Sequence, residues 1–162
     1  MSIDFFTEAC RSTVPAPVFG IRDGRDTAPA YWTTEDKHPW IATVENEKRK
    51  SINFHAIDGC VDLRQIDGDQ EKRCDAMLSY PENLVFIELK EVKANWIEGG
   101  IAQLQRTIEL FREHHDLAAF RKRRAFLANR RHPSFKFSHK ERMARFRDVT
   151  GVRLIIGAYI KA

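Results

Sequence analysis

Long apolar runs, glycine-rich phosphate loops, a Gly-x-Ser-x-Gly elbow and zinc-spaced cysteine pairs are all missing from this 162-residue sequence. Each absence removes a class. No apolar run approaches the roughly 18 residues that a membrane-spanning helix needs. The opening Met-Ser-Ile-Asp-Phe-Phe-Thr-Glu has no basic start followed by an apolar stretch, so no secretion signal is expected there. Cys10, Cys60 and Cys74 are odd in number and far apart, which fits neither a disulfide framework nor a zinc site. A reducing, cytoplasmic setting is the expectation. The missing loop and elbow argue against P-loop nucleotide chemistry and serine-hydrolase chemistry. No repeat, low-complexity tract or linker divides the chain, and its length suits one domain over 1–162.

Acidic residues are also nearly missing from one stretch. Residues 121–147 hold eleven Lys/Arg against the single acid Glu141, although the whole chain carries only +4. A basic block on an otherwise acidic chain is the footprint of a nucleic-acid contact surface. Lys122, Arg123, Arg124, Arg130, Arg131, Lys140, Arg142 and Arg145 are the candidate backbone contacts. At 43% hydrophobic and 31% charged, the rest reads as a globular domain rather than a disordered chain.

The pattern along the chain predicts an α/β domain with a central mixed sheet flanked by helices. A short helix capped by Ser2 is expected over 2–11. Pro15, Pro17, Gly20, Gly24 and Pro29 make Val14–Tyr31 a loop with one hairpin at Asp23-Gly24. A helix is expected over Trp40–Lys50, after Pro39. Strands are expected at 51–57, 61–66, 72–79 and 84–91. A helix over 97–116, a strand at 124–129, a helix at 139–148 and a strand at 152–160 complete the order. The core would then run from about 40 to 130, behind a loop-rich extension (1–39) and ahead of a basic helix and strand (131–162).

Chemistry concentrates at 75–90. Tyr80-Pro81-Glu82-Asn83 suits a type I turn, with Pro fixing φ at the second position. A hairpin centred there opposes Ser79 to Leu84, Met77 to Phe86 and Asp75 to Glu88. Alternation then puts Asp75, Glu88 and Lys90 on one face and apolar residues, Cys74 among them, on the other. Two directly opposed carboxylates, with Cβ atoms about 4.5–5.5 Å apart, repel unless a cation lies between them. Oxygen ligands of this kind suit Mg²⁺, with Mn²⁺ an alternative. Lys90 is placed to orient a water or to stabilise developing phosphoryl charge. An ordinary salt-bridged hairpin is the plain alternative.

These residues resemble the PD-(D/E)xK nuclease superfamily, the restriction-endonuclease-like group. The resemblance covers about Trp40 to Asn129 and implies metal-binding acids at Asp75 and Glu88 and a catalytic lysine at Lys90. It also implies a glutamine from the next helix, Gln103, and a further metal-binding acid from a first helix, Glu45 or Glu47. Periodicity leaves Gln103 and Gln105 equally placed beside the helix's apolar stripe. Cys74 stands where the superfamily has proline, and Thr107 where some branches have tyrosine. The implied activity is Mg²⁺-dependent cleavage of nucleic acid, DNA first. A binding module or adaptor that keeps the fold without turnover, or that contacts an acidic protein, is the competing class. A sequence-specific enzyme of this length would need a second copy or a partner. Asp58 and Asp62 flank Gly59 and read first as a turn, with metal ligation the lesser alternative. His114-His115 lies near a helix end with no third ligand nearby, and His55 reads as a core histidine.

Overall fold

The computed structural model describes residues 3–24, 28–62, 73–132 and 139–162. Those residues form an α/β structure of two mixed sheets, with six and four strands, and two helices. The strands are β1 (Arg11–Val14), β2 (Val18–Arg22), β3 (Tyr31–Thr33), β4 (Ala42–Glu45) and β5 (Ile52–Ala56). They continue with β6 (Ala76–Tyr80), β7 (Asn83–Lys90), β8 (Lys122–Asn129), β9 (Arg153–Ile156) and β10 (Tyr159–Lys161). Helix α1 spans Ile97–His114 and α2 spans Lys140–Thr150. The expected positions of Ser2, of residues 63–66 and of Lys136 lie outside the described residues.

The larger sheet has the order β1-β5-β6-β7-β8-β9. Its first four strands pair antiparallel, and β7, β8 and β9 run parallel. Parallel neighbours need a crossover, and α1 supplies the one between β7 and β8. One face of this sheet packs Met77, Leu84, Phe86, Ala125 and Leu127 against Leu104, Ile108 and Phe111 of α1 and Phe146 of α2. The other face packs Leu78, Val85, Ile87 and Phe126 against Phe19, Ile21, Val44 and Ile160 of the four-stranded sheet. Helices, large sheet and small sheet therefore form three layers with two apolar seams.

Close approach of α1 depends on Gly100. A Cβ there would come within 2.5 Å of a Leu127 methyl, so any other residue would force the Leu127 side chain to shift. Thr107 fixes the helix to the sheet more directly. Its hydroxyl accepts the Cys74 amide at 2.7 Å and donates to the Gln103 carbonyl at 2.7 Å, fully buried. Thr107→Val is expected to cost about 1–2 kcal/mol, because a buried N–H loses its acceptor. Urea unfolding of the two proteins measures it.

Several expectations are corrected. Trp40–Lys50 is not a helix: Ala42–Glu45 is strand β4, paired with β2 and β10. The β-branched pair Thr43 and Val44 alternates across the small sheet. Asn46 then closes a turn, its side chain bonding the Lys50 amide and carbonyl at 2.9 Å each. Val14–Tyr31 is more than loop, since it carries β2 and reaches β3, and these two strands pair antiparallel on either side of the expected Asp23-Gly24 hairpin. The helix expected over 2–11 is only a short 3-10 turn at Glu8–Cys10 before β1. The strand expected at 152–160 divides around Gly157 into β9 and β10, which belong to different sheets. Cys10 and Cys60 are joined in a disulfide and Cys74 is a buried free thiol. That pairing corrects the cysteine reading and removes its ground for expecting a reducing compartment. Among the described residues, no helix is long and apolar enough to cross a membrane.

Candidate active site

The β6–β7 register is the one derived from the turn: Ser79 opposes Leu84, Met77 opposes Phe86, and Ala76 opposes Ile87. The turn itself differs. Glu82 has φ 64°, which is the left-handed second position of a type II turn rather than a type I turn. Asp75 lies one residue before β6, beyond the paired register, and its amide bonds the carbonyl of Ile87 at 3.1 Å rather than that of Glu88. Its carboxylate accepts the Leu89 amide at 2.7 Å, so the side chain completes the pairing that the strand leaves open. Cys74, assigned by alternation to the opposite face, instead joins the helix-side core.

Asp75 and Glu88 are 6% and 2% exposed, on the helix side of the sheet. Lys90 Nζ lies 3.1 Å from Glu88 Oε2 and donates to Gln103 Oε1 at 2.8 Å. Gln103 Nε2 in turn donates to the Arg73 carbonyl at 3.3 Å. Gln105 points elsewhere, bonding Glu109 at 3.2 Å. The structure thus brings together Asp75, Glu88, Lys90 and Gln103, and separates Gln105 from them.

Glu88 Oε1 is buried with no hydrogen-bond donor. Burial pushes the Glu88 carboxyl far above the usual range, the Asp75 charge adds to the push, and Lys90 opposes it. Asp75 is raised as well, chiefly by burial, and the Leu89 amide holds it back. An oxygen placed like this needs either a proton or a cation. Two acids alone do not enclose a metal. Among the described residues, no group of three His, Cys, Asp or Glu side chains comes together as a closed cage. A hard cation held by two carboxylates, with water and substrate completing its shell, is how Mg²⁺ is commonly bound.

Asp23 and Asp58 belong to this neighbourhood too. The charges of both act on Asp75, and Asp23 also feels Lys90 and Glu91. Asp58 is bound by Arg73 at 2.5 Å. In the sequence Asp58 reads first as half of an Asp-Gly turn and second as a metal ligand, and Asp23 only as half of another turn. Neither has a spacing that ties it to Glu88. Glu45 is not in this group. It is exposed on β4, opposite Lys161, whose carbonyl is bonded by Arg124, which also bonds the Tyr80 hydroxyl. Tyr80 is five residues along the strand from Asp75, about 17 Å. Glu47, in the turn after β4, goes with Glu45 rather than with the site.

The basic block is divided by β8. Lys90 opposes Asn129, whereas Asn83, at the hairpin turn, opposes Lys122. Arg130, paired with Glu91, and exposed Arg131 therefore lie at the site end. The start of α2 is at that end as well, where Arg142 meets Glu98 of α1 at 3.3 Å. Lys140 and Arg145 are exposed on the same helix. Lys122 and Arg123 lie at the far end, about 23 Å away along the strand. Arg124 is corrected as a candidate contact: it is 6% exposed and bonds Tyr80 Oη at 2.7 Å and the Lys161 carbonyl at 3.0 Å. Beside the site end, Lys93, Asn95, Trp96, His132 and Arg142 line an open pocket of about 390 Å³. Trp96, stacked on His132 at 5.8 Å, forms its apolar wall. His114 and His115 hold the amino-terminal segment through ring nitrogens that accept the Ile3 and Phe5 amides.

No protein-family model, curated protein or solved structure matches the chain.

Proposed function

We propose that this protein is a metal-dependent nuclease of PD-(D/E)xK type that hydrolyses phosphodiester bonds in nucleic acid, with DNA as the first substrate to test. The observation that carries the reading is the donorless, buried Oε1 of Glu88 beside Asp75, with Lys90 at 3.1 Å from the other oxygen. The order β5-β6-β7-α1-β8, with both acids and the lysine at one end of the central hairpin, supports a restriction-endonuclease-like core.

Asp75 and Glu88 would hold Mg²⁺ or Mn²⁺, which supplies charge neutralisation at phosphorus and a more acidic water. Lys90 would stabilise charge developing on the phosphoryl oxygens. Gln103 is a positioning residue that keeps the ammonium from folding back onto Glu88 alone. Arg130, Arg131, Lys140, Arg142 and Arg145 would contact phosphates and fix register without reading sequence. A second copy or partner for sequence selection belongs to this proposal.

The test is a cleavage assay on linear, circular, single-stranded and branched DNA, with RNA in parallel. Cleavage is expected in Mg²⁺ or Mn²⁺, with none in chelator. Asp75→Ala and Lys90→Ala are expected to reduce it to background. Full cleavage by either variant removes the assignment, and binding without cleavage on every substrate favours the adaptor.

A further inference from the structure

Lys50, Lys122 and Arg153 form a second basic surface at the end of the large sheet opposite the carboxylate pair, and the buried Arg124, bonded inward to Tyr80 and the Lys161 carbonyl, adds a fourth positive charge to it without being a contact itself. Arg124 and Arg153 are directly paired in register on neighbouring strands. Phe126 and Ile155, two residues beyond each, pack towards the small sheet, so alternation turns both arginines to that layer. Lys122 shares the parity of Arg124. Lys50 Nζ stands 5.5 Å above the ring of Tyr80, whose hydroxyl Arg124 bonds. The carboxylate pair faces the other way, towards α1. This surface is therefore at the other end and on the other side of the sheet.

Among the described residues, none of these four cations has an ion pair. Arg124 Nε is buried without a partner. Lys122 shows the consequence: Arg124, Lys50 and Arg153 together hold its pKa below the ordinary lysine value, and no acid raises it. Like charges gathered on strand ends repel, so a folded chain that keeps them this close gains when a polyanion neutralises them. Lys122 and Arg153 are exposed, and no large apolar side chain stands among the four to serve as a protein-interface anchor. Charge without an apolar anchor suits a phosphate backbone.

We infer that this surface binds a second segment of nucleic acid, separate from the segment at the carboxylate pair. One straight duplex cannot touch both, because they lie on opposite faces and about 23 Å apart along the strands. The inference concerns binding and does not require cleavage.

The probe is a duplex of about one helical turn, ~10 base pairs and ~34 Å long, titrated in chelator. The wild-type chain is expected to take up two such duplexes, counted by native mass spectrometry. Lys122→Glu with Arg153→Glu is expected to take up one, and its salt slope should fall by about 2 through loss of two phosphate contacts. Lys122→Gln with Arg153→Gln, which loses the same two contacts without reversing charge, should lower the slope by about the same amount and so guards against misfolding of the reversed variant. One duplex per wild-type chain overturns the inference, as does an unchanged count and slope in the substituted proteins. Preferential displacement of the second duplex by polyglutamate also overturns it, in favour of an acidic protein partner. Cleavage retained by Asp75→Ala would sink the nuclease reading and leave this count unaffected.

Discussion

Glu88→Gln is expected to make the metal-free protein more stable while abolishing any metal-dependent cleavage. The wild-type carboxyl is 2% exposed, has a donorless oxygen, and sits beside Asp75. In the unfolded chain at neutral pH it is ionised and hydrated. In the folded protein it must either take up a proton or bear burial next to a second carboxylate. That linkage costs on the order of 2–3 kcal/mol at pH 7. A glutamine amide keeps the shape, can donate towards Asp75 and can still accept from Lys90. The gain corresponds to roughly 5–10 °C in Tm for a chain of this size. Because the folded Glu88 pKa is raised, its stabilising contribution is complete below the unfolded value near 4.5 and is lost as pH rises. The advantage of the variant should therefore shrink towards zero at pH ~4. Calorimetry in chelator at pH 7 and pH 4 reads both. Magnesium at 100 times Kd should roughly close the gap, since it stabilises wild type by about 2.7 kcal/mol and leaves the variant unmoved, and at 1,000 times Kd, about 4.1 kcal/mol, it should reverse the ranking. A variant less stable than wild type in chelator at pH 7 would make Glu88 a structural residue.

This trade of stability for a poised site explains which part of the molecule was legible in its sequence. The hairpin could be aligned by arithmetic because Pro81 marks a turn and the strands on either side alternate cleanly. Ser79 had to fall opposite Leu84 and Met77 opposite Phe86 once the turn was centred, whatever its type, and Asp75 follows just beyond the paired residues. The turn type escaped because φ 64° at Glu82 is a conformation that glutamate rarely adopts and composition does not announce. Helix α1 was equally plain, its apolar stripe running over three- and four-residue steps. Periodicity alone left Gln103 and Gln105 level. The contact of Gln103 with Lys90 comes from how α1 lies on the sheet, which Gly100 and Thr107 determine.

What the sequence hid was mostly the small sheet. Its strands are three to five residues long, too short for a period to declare itself, and β2 and β4 are each completed by a partner further along the chain. β10 lies parallel to β4 across more than a hundred residues. With β4 mistaken for a helix, Glu45 acquired a role that its exposed position, opposite Lys161, does not support. The acids that do stand near the carboxylate pair, Asp23 and Asp58, arrive on turns from other parts of the chain. Cys10 and Cys60 were equally opaque. Fifty residues of separation and an odd third cysteine conceal a pair that β1 and β5 bring together by lying side by side.

Acidification is expected to unfold the protein through His55, independently of the carboxylate pair. His55 is 1% exposed on β5, with Nε2 2.8 Å from Ser79 Oγ and Nδ1 buried without a partner. Phe6 meets its ring edge-on at 5.3 Å. Burial, helped by the positive charge of Arg11 on the neighbouring strand and opposed by Asp4, lowers its pKa to about 4. The ring is therefore neutral in the folded protein, whereas in the unfolded chain it binds a proton below about 6.5. Stability present above that unfolded value is lost as pH falls, and the loss is complete below about 4. Integrated over that interval the cost approaches roughly 3 kcal/mol, a large share of what holds a domain of this size together. Other carboxylates titrate in the same range, so the test compares wild type with His55→Asn. Asparagine can keep a polar contact with Ser79 but has no proton to gain. Urea unfolding at pH 7.5, 5.5 and 4.5 should show the wild type losing stability faster than the variant, with the difference opening below pH ~6.5. Parallel pH profiles for the two proteins would mean that His55 accepts its proton without leaving the core.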